Sequence, residues 1–131
     1  FVYDTEPASR AVVTARSLEP GSEAGMLRAV QHAFYAGNRD ITDARVLSEI
    51  AEAEGLDGAT FAAAFHSEAA REATRRDFAT SQQAGIRGFP TVLAGTPRTG
   101  YTLVTHGYQP LEALAEQLEQ WLRQQTAAND A

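Results

Sequence analysis

Cysteine is absent from all 131 residues. The chain therefore holds no disulfide, no thiolate nucleophile and no cysteine-based metal site. Lysine is absent too, the 11 basic residues all being arginine, which reads as genomic composition bias rather than as a functional device. No apolar run approaches the roughly 20 residues that span a bilayer, and no charged-then-apolar leader opens the chain. The formal net charge of −6 works against nucleic acid and anionic membrane as partners. No glycine-rich phosphate loop, Ser-His-Asp arrangement or suggestive carboxylate pair occurs. His32, His66 and His106 lack metal-ligand spacing and read as surface or core residues.

What remains is a chain 44% apolar, enough for one domain-sized core. Its signals predict helix after helix. Asp4 or Thr5 caps the first, with Pro7 in its opening turn and Ala8, Ala11, Val12 and Ala15 on one face. Pro20-Gly21 ends it. Ser22 caps the second, where Met26, Val30 and Phe34 recur with Leu27 beside them; Phe34 and Tyr35 are expected to pack the helical core. Thr42 opens the third, with Ile41 and Val46 as a hydrophobic staple and Val46, Leu47, Ile50 and Ala51 inward. Asp57 caps a short fourth helix stapled by Leu56 and Phe61, with Phe65 one turn on. Ser67 caps a long fifth carrying Ala70, Ala73, Phe78 and Ala84, closed by Gly85-Ile86 in Schellman positions. On it Arg71, Arg75 and Arg76 interleave with Glu68, Glu72 and Asp77 as a solvated, ion-paired face, with an anion site as the rarer alternative.

The period then changes. Gly88-Phe89-Pro90-Thr91 leads from the fifth helix into strand-like Thr91–Ala94. Pro90 has no N–H to give a ladder and so belongs at the strand's first residue or edge. A second strand, Tyr101–Thr105, follows a hairpin loop from Gly95 to Gly100. From Pro110 a final helix carries Leu111, Leu114, Ala115, Leu118, Trp121 and Leu122 as an apolar stripe, with Trp121 as core. A two-stranded sheet is marginal in water and too small to receive that stripe. Phe1-Val2-Tyr3 could add a strand fragment. The chain, which begins with Phe rather than Met, reads as the back part of a larger domain.

A helical block, a Gly-x-Pro-Thr turn into a hairpin, a Gly-Tyr pair and a closing amphipathic helix together resemble the C-terminal two-thirds of a DsbA-family, thioredoxin-like protein. Asp4–Val12, Gln31–Tyr35, Asp40–Asp43 and Gly85–Thr91 resemble segments of its cytoplasmic bacterial, disulfide-isomerase-like branch. The resemblance implies an α/β, mostly helical fold: residues 1–86 as a helical insertion subdomain and 87–131 as the C-terminal β-β-α portion. It implies a cis-proline loop, with Gly88, Phe89, Pro90 and Thr91 as substrate-binding positions, and protein thiols or disulfides, or glutathione, as partners. The family's Cys-x-x-Cys segment lies N-terminal to the matched region, so no catalytic residue falls on this chain. The chain by itself is expected to be redox-inert, with no metal or resident cofactor. Two other readings stay open: part of a glutathione-dependent enzyme of the kappa-class transferase or 2-hydroxychromene-2-carboxylate isomerase type, or a non-catalytic peptide-binding module. An exposed sheet edge would favour a homodimer.

Overall fold

The computed structural model describes residues 4–130. The expected strand fragment at Phe1-Val2-Tyr3 lies outside them. The described chain runs α1 (Glu6–Leu18), α2 (Glu23–Tyr35), α3 (Ala44–Ala53), α4 (Gly58–Phe65), α5 (Glu68–Gln83), β1 (Thr91–Thr96), β2 (Gly100–His106) and α6 (Leu111–Asp130). It divides into two compact units between Thr80 and Ser81.

In the first unit α1 packs on α2, α3 and α4, and α3 packs on both of its neighbours in sequence. Ala11, Ala15, Leu47, Ala51 and Phe61 are fully buried, with Met26, Val30, Ile50 and Phe65 nearly so. Small residues on α1 let the larger side chains of α2, α3 and α4 close over it. Phe61 and Phe65 stack with centroids 5.9 Å apart. Arg10 lies over the Phe65 ring at 4.1 Å and donates from Nη1 to the Phe65 carbonyl at 3.3 Å. Its Nε stands 3.2 Å from the Glu6 carboxylate. A buried guanidinium in this chain is thus accommodated by a ring, a carbonyl and a carboxylate.

The joints follow local chemistry. The Asp57 carboxylate accepts from the Thr60 hydroxyl (2.7 Å) and N–H (2.9 Å), which holds its pKa below the usual carboxylate range. Ser67 Oγ accepts from the Ala70 N–H at 3.1 Å. At the end of α5, Gly85 takes φ +75°; its N–H donates to Gln82 and that of Ile86 to Ser81, the two bonds of a Schellman ending. The cap of α3 is Asp43, which accepts from the Arg45 N–H, and not Thr42. Thr42 is engaged one turn earlier, giving its N–H and hydroxyl to Asp40. Neither Thr5 nor Ser22 makes a side-chain cap bond; Asp4 supplies one for α1, accepting from the Glu6 N–H.

Four side chains expected inside are not. Leu27 is 47% exposed because the buried stripe of α2 runs Met26, Val30, Ala33, one position away. Tyr35, the last residue of α2, stands out into solvent and meets Phe34 only edge-on at 4.9 Å. Phe78 lies on the half of α5 beyond its buried residues, Ala70 and Thr74, and Ala84 lies past the end of the helix. Near that limit Asp77 takes both guanidinium nitrogens of Arg16, at 2.9 and 3.2 Å, tying α5 to α1.

In the second unit β1 and β2 form a two-stranded antiparallel sheet pairing Thr91 with His106 and Thr96 with Gly100, with a bulge between Val92 and Leu93. Helix α6 packs on β2, yet none of its residues is buried. Trp121 is half-buried rather than core, and Leu111 and Leu122 are largely exposed. Two strands offer too little surface to cover a 20-residue amphipathic helix.

Phe61→Ala should lower the unfolding free energy of the chain by about 3–5 kcal/mol. Urea denaturation followed by circular dichroism checks this; a loss under about 1 kcal/mol would show that the Phe61–Phe65 stack is not the centre of the core.

Candidate functional site

The candidate site is built where α5 gives way to β1. The Schellman ending turns the chain out of α5, and Ile86 is half-buried beneath the turn. Arg87 is exposed, and Gly88 passes beside His106, whose Cε1 lies 3.9 Å from where a Gly88 Cβ would stand. The Phe89–Pro90 peptide bond is cis. Phe89 projects 83% exposed; an unpaired apolar ring of this kind is an informative feature on a surface. Among the described residues Phe89 is therefore not a core side chain.

Two hydrogen bonds hold the loop against the sheet. The Thr91 hydroxyl donates to the Gly88 carbonyl at 2.6 Å, and the Gly107 N–H donates to the Pro90 carbonyl at 2.8 Å. They use the acceptors on either side of Phe89 and leave its own N–H and C=O without a partner among the described residues. The loop therefore presents one donor and one acceptor on a fixed backbone, beside an apolar ring. That arrangement can pair with an extended peptide segment as a sheet edge does.

The other sequence candidates do not converge. His32 on α2, His66 just past α4 and His106 on β2 are all exposed, and no group of three or more metal-ligating residues occurs among the described residues. Arg75 is held between Glu68 and Glu72, and these hydrogen bonds raise its already high pKa. Arg71 donates to the His66 carbonyl at 2.6 Å. The face is ion-paired, as its charge spacing implied. A recess of about 320 Å³ between Glu19, Ser22, Met26, Glu54 and Leu56 brings no reactive groups together.

Sequence reasoning missed the buried polar residues. Arg10, Thr14 and Thr74 lie inside, the two threonines donating to the carbonyls four residues back at 2.7 and 2.8 Å. Their signal was available: Arg10 and Thr14 sit four apart beside Ala11, and Thr74 sits four after Ala70.

The model of the DSBA-like thioredoxin domain family matches residues 1–119. The chain belongs to that family. Solved structures are similar to it, among them these three. A protein from Nitrosomonas europaea assigned as a disulfide isomerase shares 38% identity at a TM-score of 0.88, over 95% of this chain and 60% of that one. The cytosolic disulfide reductase DsbM from Pseudomonas aeruginosa shares 31% identity at 0.76, over 93% of this chain and 60% of its own. The same reductase with GSH gives 32% identity at 0.73 with the same coverage. The chain thus spans about three-fifths of the length of these structures. No curated protein matches it significantly. Family membership gives the α/β, mostly helical assignment its meaning: hairpin and closing helix are parts of a DsbA-like thioredoxin fold. With no cysteine among its residues, the chain itself carries no redox couple.

Thr91→Val removes the hydroxyl that fixes Gly88, at a local cost of about 1 kcal/mol. The Gly107 amide, bonded to the same loop, should then exchange its proton about fivefold faster. An unchanged exchange rate would show that the two bonds do not act together.

Proposed function

We propose that this chain is the helical and substrate-binding part of a DsbA-like thiol:disulfide oxidoreductase, and that Gly88, Phe89, Pro90 and Thr91 hold the substrate backbone. The observation that carries this is the pair of unpartnered Phe89 backbone groups, fixed on either side by hydrogen bonds and flanked by an exposed ring. In this reading residues 1–86 form the helical insertion subdomain and 87–131 the thioredoxin-like β-β-α portion. The attacking thiolate comes from outside these residues. Exchange then proceeds by thiolate attack on one sulfur of a substrate disulfide, which forms a mixed disulfide and expels the other sulfur as a thiolate, while the loop aligns the substrate backbone.

Protein thiols and disulfides are one substrate class. Glutathione is a second, supported by the DsbM structure with GSH; its short peptide backbone suits the same donor and acceptor. A cytoplasmic location goes with this reading, supported by DsbM being described as cytosolic. No helix among the described residues is long and apolar enough to cross a membrane. The open edges of a two-stranded sheet favour a homodimer.

Titrating the isotope-labelled chain with a short peptide centred on S-methylcysteine should shift the amide signals of Gly88, Phe89 and Thr91. Phe89→Ala should weaken binding about fivefold, as loss of roughly 1 kcal/mol of apolar contact. Shifts scattered elsewhere, with these three unmoved, would end the reading. Sedimentation equilibrium at high concentration should show a dimer, and a clean monomer would remove that part of it.

A further inference from the structure

The 17 acidic residues are unevenly placed. From Phe78 to Leu111 there is no aspartate or glutamate, in a chain whose formal net charge is −6. The formal charges of this stretch are Arg87 and Arg98, with His106 as its one imidazole. Arg98 sits in the turn between β1 and β2, at the far end of the hairpin. Arg87 and His106 sit at the loop end: Arg87 two residues before Phe89, His106 opposite Thr91 in the sheet register and beside Gly88. Both are exposed, and neither makes an ion pair or a side-chain hydrogen bond among the described residues. In the helical unit Arg10, Arg16, Arg39 and Arg75 are each matched to a carboxylate, while Arg28, Arg45 and Arg76 are not among the described residues; what sets Arg87 apart is the acid-free stretch of sequence around it.

A guanidinium without an acidic neighbour is a forked donor set available for a carboxylate brought by a ligand. We propose that Arg87, assisted by the His106 imidazole as a hydrogen-bond donor, selects substrates that carry a carboxylate close to the sulfur-bearing residue. The inference rests on the loop reading given above and deepens it. Two sources supply this chemistry: the glycine carboxylate of glutathione, and an aspartate or glutamate near the cysteine of a protein segment. On an otherwise acidic chain, such a local reversal of sign would admit anionic substrates that the remaining surface repels.

Three probes decide it, each titrated against the labelled chain, Arg87→Gln and His106→Asn: S-methylglutathione, a pentapeptide with central S-methylcysteine followed by Asp, and the same peptide with Asn. With the intact chain the anionic probes should bind about three- to fivefold tighter than the Asn peptide at roughly 20 mM salt. That gap should close in Arg87→Gln, shrink in His106→Asn, and fade toward about 0.5 M salt. Both side chains are exposed, so both variants should keep the parent circular dichroism. A preference limited to S-methylglutathione supports the inference with glutathione as the source; one shared by the Asp peptide extends it to acidic protein segments. Equal affinities with the loop amides still shifting would overturn the inference and leave the loop reading standing. Shifts that miss the loop for every probe would overturn both.

Discussion

Burial of Phe61 and Phe65 against α1, with Arg10 laid over the second ring, is the interaction on which the helical unit depends. Helix α4 is eight residues long, far below the length at which a helix holds itself together in water. It persists because its two aromatic residues are almost wholly enclosed and because the Asp57 cap fixes where it starts, with Leu56 packed against the core beside it. The small side chains of α1 make the enclosure possible: Ala11 and Ala15 present backbone-close surface to the rings. Arg10 then covers the Phe65 ring, as an apolar residue of that reach could also do, and adds a cation–π contact of about 1–2 kcal/mol. Removing Glu6 would leave its charge partly uncompensated in a low-dielectric setting, which is why the pair is better regarded as one unit than as a surface salt bridge.

The second unit is governed by the opposite circumstance. Among its described residues no apolar side chain is buried; Thr105 alone is. A hairpin and one helix expose Tyr101, Leu103, Tyr108, Leu111 and Leu122, so its order rests on the ladder between β1 and β2 and on the bonds that clasp the loop. The hydrogen bonds of Thr91 and Gly107 matter more here than they would in a packed core. Each fixes backbone next to the groups that the proposed function uses. Stability and the proposed recognition thus draw on the same few atoms, which is where a substitution would affect both.

Much of this was legible in the residues. Asp57, Ser67 and Gly85-Ile86 have strong local chemistry, and each forms the cap it implies. The apolar set Val46, Leu47, Ile50 and Ala51 identified the inner face of α3. Thr42 is the expected start of α3, and the cap falls to Asp43 instead because Asp40 engages Thr42 in a turn. Leu27, Tyr35 and Phe78 were misjudged because hydrophobicity names a candidate for burial, whereas a neighbour in space is needed to bury it. Arg10 was missed for the converse reason: a charge reads as exposed until a ring, a carbonyl and a carboxylate are found around it.

The residues by themselves determined the order of helices and strands, the absence of any thiol, and the likeness to the DsbA family carried by Gly85–Thr91. These follow from caps, periodicity and composition, which are properties of short segments. Only the tertiary structure decided that Phe89 faces solvent, that its backbone groups stay unpaired while those beside it are satisfied, and that His106 comes to stand beside Gly88. Such facts depend on strand register and on which donors remain after the sheet has formed, and both are set by residues far apart in the chain.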